Sequence, residues 1–99
     1  MKSITCEQLN RVLESNQPPL VLDVRNVDEF AGGCIPAAKN IPLHLLPLKL
    51  KQELPDKHAA IVVNCKSGGR SAQACALLEK NGYTNIQNLE GGFDAYCNT

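Results

Sequence analysis

The chain carries no net charge, and no run of Lys and Arg breaks that balance. Nucleic acid and anionic membrane surfaces are therefore not expected partners, since both are bound through clustered cations. No apolar stretch approaches the ~20 residues that a membrane span needs. The opening residues, Met1-Lys2-Ser3-Ile4-Thr5-Cys6-Glu7, lack the apolar centre of a signal peptide and run straight into a helical pattern. Cytoplasm is the expected location. Repeats and low-complexity segments are also missing. The five cysteines, Cys6, Cys34, Cys65, Cys75 and Cys97, include no Cys-x-x-Cys pair. An odd, scattered set of this kind argues against a disulfide framework and against zinc, and His44 and His58 share no ligand spacing with it. Reduced thiols are expected, with no metal and no cofactor.

What is present is an alternation of helix and strand signals over 99 residues, enough for one domain spanning 1–99. Thr5 and Gln8 form a capping box, and Leu9, Val12 and Leu13 follow at helical spacing. Pro18 and Pro19 end that helix, and Leu20-Val21-Leu22-Asp23-Val24 reads as a buried strand. Asn26 and Glu29 open a second, brief helix that Gly32-Gly33 stops. Lys39-Asn40-Ile41 is a short strand, and the leucines from 43 to 54 suggest helical turns broken at Pro47. Ala60 to Asn64 is the strongest strand, apolar on both faces. A helix is predicted over 70–81 with Gly82 as its stop, then a strand from Asn85 to Leu89 and a last turn or two from Gly91 to Tyr96. Alternation on this scale predicts a small α/β domain with a parallel sheet.

Active residues of such sheets lie beyond the carboxyl ends of strands, and Cys65 lies at one. It opens the stretch Cys65-Lys66-Ser67-Gly68-Gly69-Arg70-Ser71. Glycines let the chain curl so that successive amides point at one spot, and the first turn of the following helix adds its own unpaired N–H groups. A sulfur anion there is stabilised, and the thiolate is the reactive form of cysteine. Cys65 is the expected nucleophile. Lys66, Ser67, Gly68, Gly69, Arg70 and Ser71 are the expected substrate-binding residues: their amides cradle an anion, and Lys66 and Arg70 attract one.

Together these residues resemble a family. Asp23-Val24-Arg25 with Glu29-Phe30, Gly33-Cys34-Ile35-Pro36-Ala37-Ala38 with Asn40-Ile41-Pro42, the Cys65 loop, and Gly91-Gly92 are similar to the motifs of rhodanese domains, in their order and approximate spacing. The resemblance implies a parallel sheet of about five strands flanked by helices on both faces. It also implies a sulfurtransferase that moves sulfane sulfur from thiosulfate or a persulfide donor to a thiol or cyanide acceptor through a persulfide on Cys65. The acceptor side could include a protein of a sulfur relay, and a monomer is expected. Alternatives are a non-catalytic interaction module on the same fold and a cysteine redox sensor. Cys34 stands where the family commonly has histidine, which raises a redox partnership with Cys65, while Ala37 and Tyr96 replace a glycine and a tryptophan.

Loop length separates this chemistry from phosphate-ester hydrolysis. A phosphatase cradle needs Cys-x5-Arg to encircle a tetrahedral phosphate, whereas only Lys66, Ser67, Gly68 and Gly69 separate Cys65 from Arg70. Asp23, Arg25 and Glu29 read as structural, Asp23 and Arg25 tying adjacent loops by charge-assisted hydrogen bonds.

Overall fold

Ile61, Val62 and Val63 are each no more than 2 % exposed, which only a strand covered on both faces allows. In the computed structural model, which describes residues 2–99, they form the central strand of a five-stranded parallel sheet. The elements run β1 (Lys2–Ile4), α1 (Cys6–Leu13), β2 (Leu20–Asp23), α2 (Val27–Ala31), β3 (Lys39–Asn40), a 3₁₀ turn (Leu43–Leu45), α3 (Leu46–Glu53), β4 (Ile61–Asn64), α4 (Gly69–Lys80), β5 (Ile86–Leu89) and α5 (Gly92–Cys97). The strand order is β1-β5-β4-β2-β3. Register pairs Leu22 with Val63 and Asp23 with Asn64, while Val63 also faces Asn88.

Alternate side chains of the strands feed two cores. Leu22, Ile61, Val63 and Ile86 pack with Leu46, Leu50 and Leu54 around α3 and with Ala74, Cys75 and Leu78 of α4. Val21, Val62 and Leu89 pack on the opposite face with Cys6 and Leu9 of α1 and with Phe93, Ala95 and Tyr96 of α5. Each fully buried Val, Leu or Ile contributes about 1.5–3 kcal/mol of transfer free energy, so both faces are held by many comparable contacts. The five-stranded parallel architecture agrees with the sequence reading.

Two local details differ. Lys2–Ile4, read as the lead-in to α1, is an edge strand parallel to β5. Only Ile4 of its three residues is buried, so the segment carries no period-two pattern to announce it. Pro47 does not interrupt a helix but starts one, because α3 begins after the 3₁₀ turn and proline occupies its first turn, where its missing N–H costs nothing. Both predicted capping boxes are present, at Thr5 with Gln8 and at Asn26 with Glu29.

Candidate active site

β4 delivers Cys65 to the carboxyl edge of the sheet, where the chain turns through Lys66–Gly68 into α4. Gly68 adopts φ +121°, a conformation that an L side chain rarely takes, and it caps α4. Cys65 lies at the floor of this turn, 1 % exposed. The Gly68 N–H donates to Sγ at 3.0 Å, and the Ser71 hydroxyl lies 3.4 Å from it.

Burial pushes the Cys65 thiol up, but hydrogen bonds from the Ser71 hydroxyl and from the backbone N–H groups of Ser71, Gly68 and Ser67 outweigh it. The net shift is downward from the usual thiol value of 9.0. The Ser71 hydroxyl and the fixed amide dipoles, not a neighbouring cation, are therefore the main support of the thiolate. Ser71 is fully buried and its hydroxyl also reaches the Gly68 carbonyl at 3.1 Å. With a neutral thiol that hydroxyl donates to Gly68 and accepts from sulfur; with a thiolate its proton turns to sulfur. The Gly68 carbonyl then keeps the Ala72 N–H at 3.0 Å.

The amides face sulfur because α5 holds the other side of the loop. The Phe93 N–H donates to the Cys65 carbonyl at 2.8 Å and the Asp94 N–H to the Lys66 carbonyl at 2.9 Å. In a planar trans peptide C=O and N–H point in opposite senses, so pinning the Lys66 carbonyl on α5 aims the Ser67 N–H at Sγ. Asn64, fully buried, adds a weak 3.4 Å contact from its amide to the Cys65 carbonyl.

Of the predicted binding residues, Ser67, Gly68 and Ser71 present groups to the sulfur, and Gly69 begins α4. Lys66 is exposed and joins no ion pair among the described residues. Arg70 is placed differently from the expectation of an anion-binding cation. Its guanidinium grips Glu29 with both ends, Nη1 to Oε1 at 2.7 Å and Nη2 to Oε2 at 3.0 Å. This pairing and the Asn26 N–H hold the Glu29 carboxyl down at about 2. The sequence reads Glu29 as a capping and structural residue without naming Arg70 as its partner; a contact across 41 positions leaves no local trace.

Asp23 and Arg25 form the structural pair expected of them, buried and joined at 2.8 Å. Arg25 also donates to the Gly33 carbonyl at 2.7 Å and stacks over Phe93, 4.4 Å from the ring centre. Cys34 is a free, half-buried thiol on this Arg25 side, outside the ring of groups around Sγ.

The Rhodanese-like domain family matches residues 5–99. The chain belongs to it. A sulfurtransferase of Allochromatium vinosum is 40 % identical over 98 % of this chain and 89 % of that protein. The rhodanese-like domain protein of Staphylococcus aureus superposes with a TM-score of 0.89 at 38 % identity, covering 97 % of this chain and 91 % of that one. The human single-domain sulfurtransferase TSTD1 superposes with a TM-score of 0.92 at 28 % identity, over 100 % of this chain and 97 % of that one. The fold of these rhodanese structures is the fold described above. Among the described residues no helix is long and apolar enough to cross a membrane.

Proposed function

We propose that this rhodanese-like domain is a sulfurtransferase that carries sulfane sulfur on Cys65. The observation that bears the reading is the closed ring of donors from Ser67, Gly68 and Ser71 around a buried Sγ whose thiol is shifted downward. The sulfurtransferase relatives support the same reaction class.

In the first half-reaction the Cys65 thiolate attacks the outer sulfur of thiosulfate. The S–S bond of the donor breaks, sulfite leaves with its electron pair, and a persulfide anion remains on Cys65. That terminal sulfur is stabilised by the same preorganised amides, with no reorganisation at the moment of transfer. In the second half a thiolate or cyanide attacks the terminal sulfur and expels the Cys65 thiolate. A thiol of lowered pKa is the better leaving group, so the cradle assists both halves. Exposed Lys66 supplies a cation for an anionic donor. The acceptor is a cellular thiol, small or on a relay protein, and the domain works as a cytoplasmic monomer.

The test compares thiocyanate release from thiosulfate and cyanide, and sulfur loading of Cys65 by mass spectrometry, in the wild type and in Cys65→Ser. Activity and the added sulfur vanish together in the variant if the reading holds. A wild-type protein that takes sulfur from neither thiosulfate nor an organic persulfide overturns it.

A further inference from the structure

The loop holds two cations, and they are not equivalent. Lys66 is exposed and without an ion-pair partner among the described residues, whereas Arg70 is clamped by both oxygens of Glu29. The clamp is not a loose surface pair, since the side chains are 34 % and 28 % exposed and the geometry is the two-pronged fork of a strong guanidinium–carboxylate pair. Glu29 is itself anchored. Its Oε1 accepts the Asn26 N–H at 3.0 Å, which fixes the carboxylate on the first turn of α2. The arginine that follows the nucleophile loop therefore meets a donor with its charge already answered.

We infer that Glu29 is the specificity-determining residue of this site, setting its preference toward alkyl persulfides and against dianionic thiosulfate. The inference rests on the proposed sulfur transfer. With R–S–SH as donor, the Cys65 thiolate attacks the outer sulfur, the donor's S–S bond breaks, its electron pair leaves on R–S⁻, and Cys65 becomes the persulfide Cys–S–SH. That donor brings at most one negative charge to the reacting sulfurs. Thiosulfate brings two, and its sulfonate finds only Lys66 as a free cation, because Glu29 withholds Arg70. The thiolate does not need Arg70, since amides and Ser71 supply its main support.

Glu29→Gln removes the opposing charge and keeps an amide oxygen to accept the Asn26 N–H. In this variant the kcat/KM for thiosulfate rises on the order of tenfold, mainly through KM, because uniform binding is what a freed surface cation changes. For hydroxyethyl persulfide, generated in situ, the change stays within about twofold to threefold. Arg70→Met leaves Glu29 bare, so the thiosulfate-to-persulfide ratio of kcat/KM falls below wild type. The double variant Glu29→Gln with Arg70→Met restores a neutral pair, and its ratio returns to near the wild-type ratio.

A double variant whose ratio is as low as that of Arg70→Met alone overturns the inference, as does an unchanged ratio in Glu29→Gln. Neither result touches the proposed sulfur transfer as long as the wild type loads Cys65. Failure of the wild type to load from either donor removes both readings.

Discussion

Gly92 packs against the backbone of Cys65: a Cβ built on Gly92 would lie 2.7 Å from the Cys65 carbonyl oxygen and 2.6 Å from that of Lys66. Neither atom can move aside without straining its hydrogen bond, because the carbonyls are held by the N–H groups of Phe93 and Asp94 in the first turn of α5. Gly92 also has φ +60°, a region that costs other residues roughly 1–2 kcal/mol. The second glycine of the Gly91-Gly92 pair is thus the point where the last helix supports the Cys65 loop.

Gly92→Ala should therefore damage activity more than stability. The displaced loop misaims the Ser67 and Gly68 amides, and a displacement near 1 Å at a reacting centre costs on the order of a hundredfold in rate. Thermal denaturation and thiocyanate release, measured on one preparation, check both. Gly91→Ala offers the contrast, because its Cβ would meet the Ala95 side chain 2.6 Å away within α5 and not the loop backbone. It should lose stability with the smaller loss of rate.

The cradle was legible in the sequence because the groups that face the sulfur are local. Cys65, Gly68 and Ser71 lie within seven consecutive residues, a spacing that brings their amides to one turn, which α5 then holds in its aim. The buried strands β2 and β4 were legible through their apolar runs, and β5, with only Ile86 and Leu89 buried, through its place in the alternation of helices and strands. What escaped detection is long-range or nearly patternless. β1 has one buried residue and owes its existence to β5, more than eighty positions away. The engagement of Arg70 by Glu29 depends on where α2 lies relative to α4, and no periodicity encodes that. Gly91-Gly92 was visible as a motif, but its role under the loop needed the placement of α5.

Ser71→Ala tests the source of the thiolate. Removing the hydroxyl deletes a hydrogen bond that favours the charged form and leaves the burial that opposes it, so the Cys65 pKa rises. The acid limb of the pH–rate profile should move to higher pH, with activity lost at neutral pH and recovered in part under alkaline conditions. An unshifted profile would assign the thiolate to the amides alone.

Asp23→Asn tests the buried support behind the loop. Arg25 is 4 % exposed and would remain charged beside a neutral partner, so the variant should lose about 3–5 kcal/mol in urea denaturation. Because Arg25 stacks on Phe93, whose N–H holds the Cys65 carbonyl, the loss should be accompanied by reduced activity at temperatures where the variant is still folded.

Tyr83→Phe should separate stability from function. The buried Tyr83 hydroxyl donates to the carbonyls of Leu50 and Leu54 at the end of α3, on the side of the domain remote from the carboxyl ends of the strands. Its removal leaves the Leu54 carbonyl short of a donor, while that of Leu50 keeps the Leu54 N–H, and should cost about 1–3 kcal/mol, with kcat/KM unchanged.

Cys75 gives the opposite electrostatic case to Cys65 inside one helix–strand unit. It is fully buried against the sheet and offered no compensating donors, and burial pushes its thiol up to about 12. In the unfolded chain that thiol ionises near 9.0, so between 9.0 and about 12 the unfolded state binds fewer protons and stability falls as pH rises. The Cys65 thiol, shifted downward, works the other way: its contribution is complete above 9.0 and is lost as pH falls through its folded-state value. Cys75→Ala should therefore flatten the alkaline decline of the denaturation midpoint while leaving the dependence at lower pH in place. A decline as steep in Cys75→Ala as in the wild type would show that Cys75 ionises no less readily in the folded protein, and that water reaches its sulfur.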